Sequence, residues 1–393
     1  MIRKFLDLGY QPLANSYLHK KQVNKKEKKY KLEIVFNHKN FLVSINNKIP
    51  TKEMFNSKYP YRSSLSNTMM ESFKNISSKI KKRFKPKFII EIGSNDGAFL
   101  YNFNNKKIIG IEPCKNIAKI TKKKKYKTID KYWNKKLARN ITRNKKSDLI
   151  YSANTLSHIE NLEETFAAIN IALSSDGVLI LEGPALLPCI KNNIYDQFYC
   201  EHIYVFSTIA LDKILMNFNL EIFDLNLLNT HGGSTRYFIK KKCNKKFKVH
   251  KKVKHEISKE IKFGLHKFNT YSSFSKRIKK SRKKLTKILE KLKNENKKII
   301  GYGATAKSCT VLNYCRITKK HIAYFLDTTP DKINKFLPGS KIQIKKYKRL
   351  SKKDVDVAFL GAWNFKKEIL KKEKKFIKEG GKFLLHVPSV RLI

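Results

Sequence analysis

Short apolar runs that alternate with helical patterns are the feature that most limits how this chain can fold. Runs of strand length occur in "PKFIIEIG", "KKIIGIEP", "SDLIYSANT" and "GVLILEGP", and the helical pattern "NLEETFAAINIAL" separates the last two. Strands that alternate with helices form βα units around a parallel sheet. A second series begins at "KKIIGYGATAKSCTVLNY" and continues through "IAYFLD", "VDVAFLG" and "KFLLHVP". The sequence therefore predicts an α/β protein with two such sheets.

The segments around these two series predict the domain organisation. "ESFKNISSKIKKRF" and "STIALDKILMNF" have helical spacing, the latter with Ser207 or Thr208 as its N-cap, and "LEIFDLNLLN" and "GSTRYFIKK" read as strands. The lysine-rich stretch before the second series predicts one long helix or two. The predicted regions are a small, irregular N-terminal domain (1–70), a central α/β domain (71–245), a helical linker (246–297) and a C-terminal α/β domain (298–393).

The formal charge of +55 raises the question of a nucleic-acid partner. The lysines are spread over every segment, and no nucleic-acid-binding motif accompanies them, so we expect no dedicated nucleic-acid role. A positive field would still favour capture of a phosphorylated substrate. The main alternative of this class is a non-catalytic basic scaffold or RNA-binding protein.

Location and redox chemistry are constrained by what the apolar runs and cysteines allow. No run approaches the length of a membrane span, and the N-terminus lacks a secretory signal, so we expect a cytoplasmic protein, monomeric or homodimeric. The six cysteines include no C-x-x-C pair. This pattern predicts neither a zinc site of the usual spacing nor disulfides.

The turn "EIGSNDG" follows the first predicted strand of the central series and is expected to open a helix. Its glycines allow close backbone approach to a ligand, and an acid at the end of the next strand can accept hydrogen bonds from ribose hydroxyls. The spacing is not G-x-G-x-x-G, which favours S-adenosylmethionine over NAD. Ordinary tight turns are the alternative. The candidate cofactor contacts are Glu91, Gly93, Asn95, Asp96, Gly97, Glu112 and Asn154.

Six motifs occur in one order along the chain: "EIGSNDG", "IEP", "ANTLSHI", "FYCEHIYVFS", "THGGSTRYF" and "GYGATAKSCTVLNY". Together they resemble the sugar C-methyltransferases, and the resemblance runs from "DLGYQPLANSY" nearly to the C-terminus. It implies a zinc-binding N-terminal domain, a Rossmann-like class I methyltransferase domain and a Rossmann-like C-terminal domain. The implied reaction uses S-adenosylmethionine to methylate a carbon next to the ketone of a nucleotide-linked keto-deoxysugar.

Carbon methylation requires a carbon nucleophile, which a base can generate by removing the acidic proton next to a ketone. The enzyme then needs that base, donors for the enolate oxygen and a pocket that excludes water. The stretch "DQFYCEHIYVFS" supplies these residue types. The resemblance implies His202 as the base, with Tyr199 and Glu201 beside it, and Cys200 stands where the family usually has His. Methyl transfer to oxygen or nitrogen is the alternative enzymatic reading.

For each of the other candidate site residues, the sequence leaves two interpretations open. By resemblance His158 faces the substrate, although a structural histidine is the alternative. Tyr61 resembles the tyrosine that closes over the family's active site, and Tyr59 is its rival. His231 either meets the substrate or caps a turn. Arg236 meets either a phosphate or an internal carboxylate.

The C-terminal turn "GYGATAKS" suggests a holder for the nucleotide sugar. Gly301, Gly303 and Ala304 keep side chains small, so that backbone amides and Lys307 could cradle a diphosphate. Asp327 ends the following strand and could face a ribose or base. A dinucleotide fold that only packs is the alternative.

The N-terminal domain departs from the family pattern. At the second zinc-binding position, "FNHKNFLV" has Asn37 and Asn40 where the family has cysteines. Amides are poor substitutes for thiolates on zinc. We predict that no structural zinc is bound and that packing alone holds the domain. The sugar, the ring carbon and the nucleotide are not readable from the sequence.

Overall fold

The computed structural model describes residues 1–57 and 59–393. The strands are β1 (Ile2–Pro12), β2 (Lys29–Asn37), β3 (Val43–Ile45), β4 (Ile89–Ile92), β5 (Ile108–Ile111), β6 (Thr128–Ile129), β7 (Ser147–Ala153), β8 (Leu173–Pro184), β9 (Tyr204–Val205), β10 (Leu220–Leu228), β11 (Ser234–Lys241), β12 (Ile299–Tyr302), β13 (Phe325–Asp327), β14 (Ile344–Lys346), β15 (Val357–Leu360), β16 (Lys382–Leu385) and β17 (Arg391–Leu392). The helices are α1 (Thr51–Met54), α2 (Asn67–Phe84), α3 (Lys115–Lys123), α4 (Lys135–Ile141), α5 (Leu162–Ala172), α6 (Leu186–Lys191), α7 (Thr208–Met216), α8 (Lys251–Phe263), α9 (Phe268–Asn294), α10 (Ala306–Tyr314), α11 (Lys366–Lys372) and α12 (Lys374–Lys378).

The N-terminal segment forms an antiparallel sheet in the order β1-β2-β3-β9. This corrects the expectation of an irregular domain. The pairing of β1 with β2 shifts register between Lys4 and Leu6 and again between Asp7 and Tyr10. Such bulges break the alternation of apolar and polar residues that would reveal a strand. The strand β9 comes from the stretch just after His202, so the N-terminal sheet directly supports that segment.

The central sheet has the order β10-β11-β8-β7-β4-β5-β6. Its strands β4 to β8 are parallel, and β11 runs antiparallel to both neighbours. The predicted α/β class and the alternation of strands and helices are confirmed here. The chain runs outward from β4 through β5 to β6 and then returns to β7 on the other side of β4. This reversal of strand order creates the crevice at which open α/β sheets bind ligands.

The turn after β4 differs from the sequence prediction. Between Gly93 and β5 the described residues form turns and a 3₁₀ segment, Leu100–Asn102, and not an α-helix. Gly93, Asn95 and Gly97 have positive φ angles of 75°, 48° and 90°. Three left-handed residues at alternate positions cannot belong to a right-handed helix. Ligand contacts at this turn would therefore come from the curved backbone and side chains, not from a helix N-terminus.

The C-terminal sheet has the order β14-β13-β12-β15-β16-β17. All its strands are parallel except β17, which pairs antiparallel with β16. The strand order reverses at β12, as it does at β4 in the central sheet. Two helices, α8 and α9, connect the sheets, and Gly264 ends the first with a φ of 91°. The sequence pattern missed the short strands β14 and β17.

The N-terminal sheet packs directly against the linker helix α9. The Tyr271 ring of α9 lies 4.6 Å from the Phe36 ring and 5.0 Å from the Phe5 ring, measured between centroids. All three side chains are buried. This aromatic contact joins the N-terminal sheet to the rest of the molecule. Across the described residues, no helix is both long and apolar enough to cross a membrane.

Candidate active site

A cavity of about 650 Å³ lies where the carboxyl ends of the central and C-terminal sheets meet. Residues at the ends of β4, β5 and β7 line one part of it, and residues at the ends of β12 and β13 line another. The segment from Tyr59 to Met69 contributes to the lining as well. Its size is in the range of small-molecule sites. One cavity thus opens at the strand-order reversals of both sheets.

The central-sheet end of the cavity contains buried acceptors that lack partners among the described residues. Glu91 is buried with no hydrogen-bond partner for Oε2, and the Oδ1 atom of Asn154 is in the same situation. Burial, followed by the nearby Glu112 and Asp96 carboxylates, raises the pKa of Glu91 well above its ordinary value. Added at Gly93, a Cβ would lie 2.1 Å from Oγ1 of Thr155. Gly93 is therefore required by its contact with Thr155. The unpartnered acceptors fit a ligand that carries an ammonium group, as S-adenosylmethionine does.

Glu112 follows β5 directly and lines the same cavity. Its Oε2 atom accepts the backbone N–H of Asn95, and Oε1 accepts the backbone N–H of Cys114, both at 2.9 Å. Burial raises the pKa of this carboxyl, while the backbone hydrogen bonds act in the opposite direction. Each carboxylate oxygen has a second acceptor position. The carboxylate is therefore fixed in place and still able to accept ribose hydroxyls, a role that stays a prediction.

Asn95 and Asp96 attach the turn to the segment that covers it. The Oδ1 atom of Asn95 accepts the Ser63 backbone N–H at 2.8 Å, and Asp96 accepts the Ser64 backbone N–H at 3.1 Å. Asn95 also borders the cavity, whereas Asp96 and Gly97 lie outside its lining. A Cβ on Gly97 would lie 2.6 Å from the ring of Tyr101. The structure thus places Asp96 and Gly97 behind the cavity, where they hold the turn in shape.

Tyr199 and His202 line the cavity and form a hydrogen-bonded pair. The Tyr199 hydroxyl lies 2.6 Å from Nε2 of His202, and the ring centroids are 3.9 Å apart. His202 is buried, and burial together with nearby His158 lowers its pKa well below the ordinary value. The imidazole is therefore neutral near pH 7, as a base must be before it takes a proton.

Gln197 fixes the tautomer of His202. Its backbone carbonyl oxygen lies 2.9 Å from Nδ1, and its side-chain amide lies 2.8 Å from the same atom. A carbonyl oxygen can only accept, so the proton belongs on Nδ1. The amide oxygen of Gln197 has no hydrogen-bond partner among the described residues, and turning the amide end for end directs that oxygen toward Nδ1. Nε2 is then the free base position, and the Tyr199 hydroxyl donates to it.

Glu201 lies beside this pair but belongs to a different network. Its two oxygens lie 2.8 and 2.9 Å from the side-chain nitrogen of Asn15, and Oε2 lies 3.5 Å from the Tyr59 hydroxyl. The side chain is buried, and burial raises the pKa of Glu201 to about 7. Near neutral pH the Glu201 carboxyl is therefore partly protonated. The protonated form can donate a hydrogen bond and the ionised form can only accept one.

Two further histidines line the cavity. The His158 ring stacks between Phe55, at 5.2 Å, and His202, at 5.0 Å. Burial lowers the pKa of both His158 and His231 to about 4, with Lys307 also acting on His231. The Nε2 atom of each lacks a hydrogen-bond partner within the described part of the chain. This geometry is consistent with substrate contact. His231 also lies within the turn Thr230–Gly232, with a φ of 56°, so the role of each histidine stays a prediction.

Tyr59 and Tyr61 occupy different positions in the covering segment. Tyr59 is buried with its hydroxyl near Glu201, whereas Tyr61 is 44% exposed at the cavity edge. The Tyr61 carbonyl accepts a hydrogen bond from Asn95 at 3.1 Å. Both tyrosines line the cavity, Tyr59 with its hydroxyl near Glu201, and which of them acts in the reaction stays a prediction.

In the C-terminal part, Lys307 projects into the cavity from α10. Its Nζ atom donates to the His231 carbonyl at 3.1 Å and lies 4.5 Å from the centroid of the Trp363 ring. Burial lowers the pKa of Lys307 despite the opposing attraction of Asp196. Asp327 accepts the backbone N–H groups of Ala304 and Thr329, each at 2.8 Å. Asp327 also lies 3.5 Å from Nζ of Lys332, and both residues line this part of the cavity together with Lys307.

The three small residues of this turn are placed differently from one another. Gly303 borders the cavity, with Ala362 2.4 Å from where its Cβ would be. Gly301 is outside the lining and faces the Phe325 ring, and Ala304 is also outside it. Packing against Phe325 and Ala362 is therefore sufficient to explain why residues 301 and 303 are glycines, without a ligand.

Arg236 contacts an internal carboxylate, which is the second of the two roles that the sequence allowed. Its guanidinium forms a buried ion pair with Glu182, with Nε and Nη2 each 2.7 Å from Oε2. Neither residue lines the cavity. The prediction that Arg236 binds substrate is therefore not supported by its position, since the charge is already neutralised within the central sheet.

Three residues in or near the site have no distinguishing signal in the sequence. Asn15 lies within "PLANSY", a stretch that contributes to the resemblance without indicating a role. Gln197 lies in "DQFYCEHIYVFS", where its amide has no evident function. Arg62 binds Asp331 at 2.6 Å and so connects the covering segment to the C-terminal part. Only the contacts in space distinguish these residues.

Solved methyltransferase structures overlap somewhat less than half of the chain. An S-adenosylmethionine-dependent methyltransferase from Clostridium acetobutylicum ATCC 824 is 14% identical over 44% of this chain and 92% of its own, with a TM-score of 0.34. A possible histamine N-methyltransferase from Thermotoga maritima is 18% identical over 43% of this chain and 89% of its own, also with a TM-score of 0.34. The fold assignment rests on the strand order described above.

Residues 1–55 match the family described as "Putative zinc binding domain". They contain no cysteine, and the described residues hold no group of three or more His, Cys, Asp or Glu side chains able to bind a metal ion. The Oδ1 atoms of Asn37 and Asn40 instead accept the backbone N–H groups of Lys39, at 2.9 Å, and Leu42, at 3.2 Å. The residues present do not fit a structural zinc, and its absence remains a prediction for metal analysis.

The rest of the chain matches two methyltransferase families. Residues 61–225 match "Methyltransferase domain", and residues 229–388 match "C-methyltransferase C-terminal domain". C-methyltransferase NovU from Streptomyces niveus is 26% identical over 99% of this chain and 93% of its own length. The three family matches follow one another along the chain without overlap. The chain therefore has the domain composition of an S-adenosylmethionine-dependent C-methyltransferase: a methyltransferase domain followed by a C-methyltransferase C-terminal domain.

Proposed function

We propose that this enzyme methylates a carbon next to the ketone of a nucleotide-linked keto-deoxysugar. The observation that carries the proposal is the single cavity shared by two strand-order reversals. Reversals of this kind bind nucleotides and related ligands in open α/β sheets. The β4 crevice would hold the cofactor and the β12 crevice the nucleotide, which brings the sugar between them. Tyr199, Glu201 and His202 lie along that path.

The cofactor contacts follow from the geometry at β4. Glu91 and Asn154 would bind the ammonium group, and Glu112 the ribose hydroxyls. When bound, S-adenosylmethionine supplies a methyl group on a sulfonium centre, which is electrophilic at carbon. The chain's own contribution is to orient the substrate carbon toward that methyl group and to make the carbon nucleophilic.

We assign proton removal to the Tyr199–His202 pair. The Tyr199 oxygen accepts the substrate C–H proton as its own proton passes to Nε2 of His202. The products of this step are the substrate enolate, a neutral phenol and an imidazolium. Gln197 holds Nδ1–H throughout, so the ring keeps its orientation. Such positioned proton transfer contributes about 10²–10⁴-fold to the rate.

Glu201 and Tyr59 are proposed to stabilise the enolate oxygen. With a pKa of about 7, Glu201 can hold a proton near neutrality and donate it in a hydrogen bond. Asn15 fixes the carboxyl plane by lying within 2.9 Å of both of its oxygens. Donors placed in advance in a water-poor site stabilise developing charge strongly. The buried positions of Tyr59 and Glu201 meet that requirement.

The segment from Tyr59 to Met69 would exclude water from the reaction. It is tied to the β4 turn through Asn95 and Asp96 and to the C-terminal part through the Arg62–Asp331 ion pair. A cover held at both ends keeps the substrate between the two crevices. In this proposal residues 298–393 hold the nucleotide, with Lys307 facing its diphosphate.

The test is a panel of nucleotide-linked 4-keto-deoxysugars incubated with S-adenosylmethionine carrying a ¹³C-labelled methyl group. Mass spectrometry and NMR of the product would locate the label. A new carbon–carbon bond at a position next to the ketone is expected. Label on oxygen or nitrogen, or no transfer to any panel member, would refute the proposed substrate or atom.

A further inference from the structure

Asp196 is a fully buried carboxylate in the same turn as the residues of the active site. It lies in the 3₁₀ segment Tyr195–Gln197, and its side chain is completely shielded from solvent. Its Oδ2 atom accepts the indole N–H of Trp363 at 2.6 Å and lies 2.9 Å from Nε2 of His386. Both partners belong to the C-terminal part, after β15 and β16 respectively. Asp196 thus connects the C-terminal sheet to the turn beside the reacting groups.

The turn that holds Asp196 also orients His202. The next residue, Gln197, accepts the Nδ1–H proton of His202 through its backbone carbonyl. One side of this short segment is therefore attached to the C-terminal sheet, and the other holds the imidazole in one tautomer. A shift of the segment would change the direction of Nε2 and its distance from the substrate carbon.

Trp363 extends the same connection to the opposite wall of the cavity. A Cβ on Gly232 would lie 2.4 Å from the Trp363 ring, so the His231–Gly233 turn is packed directly on the indole. Lys307 lies over the same ring and donates to the His231 carbonyl. The Lys307 ammonium and the Asp196 carboxylate also attract each other. Two walls of the cavity therefore contact the Trp363 indole, which is itself hydrogen-bonded to the Asp196 carboxylate.

We infer that Asp196, held by Trp363 and His386, is a positioning residue that aligns His202 with a substrate bound on the C-terminal sheet. The inference rests on the proposed function, because it assumes that the substrate spans both crevices. Asp196 does not line the cavity. It would act through the Gln197–His202 contact and not through the reacting atoms.

The experiment compares Asp196→Asn and Trp363→Phe with wild type in the full-length protein. Trp363→Phe removes one N–H donor and keeps the aromatic packing, so it tests the connection even where Asp196→Asn folds poorly. The matched control is Glu260→Gln, another buried carboxylate, which accepts two backbone N–H groups at the start of α7. We expect kcat, measured with the panel sugar that wild type accepts as substrate, to fall about 10- to 100-fold in the two test variants. A small misalignment of reacting groups has an effect of this size. Cofactor affinity by calorimetry should be unchanged, and Glu260→Gln should lower the melting temperature without this fall in kcat.

A second readout does not depend on turnover. The ¹⁵N chemical shifts of the His202 ring, assigned by their loss in His202→Gln, report which nitrogen carries the proton. Wild type and Glu260→Gln should show the Nδ1-protonated form, and Asp196→Asn a mixture. Unchanged ring shifts and unchanged kcat in both test variants would overturn the inference, as would an equal fall in kcat in Glu260→Gln. If wild type methylates no panel member, the proposed function fails while the ring shifts still decide the positioning role.

Discussion

The Tyr199 hydroxyl lies 2.6 Å from Nε2 of His202, while the other ring nitrogen of His202 faces the Gln197 carbonyl at 2.9 Å. With Nδ1 committed as a donor, Nε2 is the position on this imidazole that can accept a proton. The Tyr199 hydroxyl donates a hydrogen bond to this nitrogen, so a proton can pass directly between the two side chains. This is the arrangement on which we base the proposed assignment of proton removal to Tyr199 and His202, and Glu201 between them belongs to a separate network.

Glu112→Ala should weaken S-adenosylmethionine binding, because it removes the acceptor proposed for two ribose hydroxyls. Hydrogen bonds to a charged group are worth about 1.5–3 kcal/mol, which corresponds to roughly 10- to 160-fold in Kd. Isothermal titration calorimetry measures the change, with Glu163→Ala, an exposed carboxylate on α5, as the control. Unchanged affinity in Glu112→Ala would remove Glu112 from the cofactor site.

Activity should decline on the alkaline side with an apparent pKa near 7, because Glu201 must be protonated to donate to the enolate oxygen. Glu201→Gln keeps a neutral donor that does not titrate, so its kcat/KM profile between pH 5 and 9 should lose that decline. The control is Glu53→Gln, which changes a carboxylate that pairs with Lys28 and does not line the cavity. A decline of the same shape in Glu201→Gln would assign it to another group.

The same pKa shift has a consequence for stability, which serves as a second readout of Glu201. Its folded pKa of about 7 lies above the ordinary value of 4.5. Its protonation therefore favours the folded state fully below about pH 4.5, and that contribution is lost as the pH rises through about 7. Thermal unfolding should show Glu201→Gln gaining stability relative to wild type between pH 5 and 8. A constant difference over that range would contradict the raised pKa.

Lys307→Met should raise KM for the nucleotide sugar about tenfold or more while leaving cofactor affinity unchanged. A charge that meets the diphosphate stabilises the bound substrate and the transition state equally, which is uniform binding. Methionine retains the packing of the stem against Trp363. Steady-state kinetics with the panel sugar that wild type accepts as substrate measures both constants. A fall in kcat at constant KM would place Lys307 away from the diphosphate.

Purified protein should contain no stoichiometric zinc, since Asn37 and Asn40 close their turns with amide oxygens and residues 1–55 lack cysteine. Elemental analysis tests this directly. A chelator should leave the melting temperature unchanged, because the aromatic contacts of Phe5 and Phe36 with Tyr271 need no metal. One zinc per chain would contradict the prediction.

The sequence predicted those features that local patterns determine. Strand β4, helix α2 and the N-cap of α7, where Ser207 accepts the Ala210 N–H at 3.2 Å, all follow from spacing and residue type. The helix expected after Gly93 does not form, because its left-handed residues override the general βα pattern. The bulged strand β1 was missed because its register shifts hide the alternation.

The site was predictable only as far as its residues are neighbours in sequence. Tyr199, Glu201 and His202 stood together, but their partners come from distant parts of the chain. Asn15 meets Glu201 across 186 residues, and His386 meets Asp196 across 190. Such pairings depend on how three sheets pack, so no local period or spacing reveals them. The Arg236–Glu182 pair shows the same limit, since a basic residue near the site proved to have an internal partner.

We propose that the enzyme makes its own carbon nucleophile with the Tyr199–His202 pair. The most direct test of this proposal is solvent-deuterium exchange at the carbon next to the ketone, followed by NMR with S-adenosylhomocysteine present so that no methyl transfer occurs. Wild type should exchange that hydrogen, and His202→Ala should lose exchange by about 10²–10⁴-fold while cofactor binding stays intact. Full exchange in His202→Ala, or methylation by wild type at a carbon that never exchanges, would contradict the account.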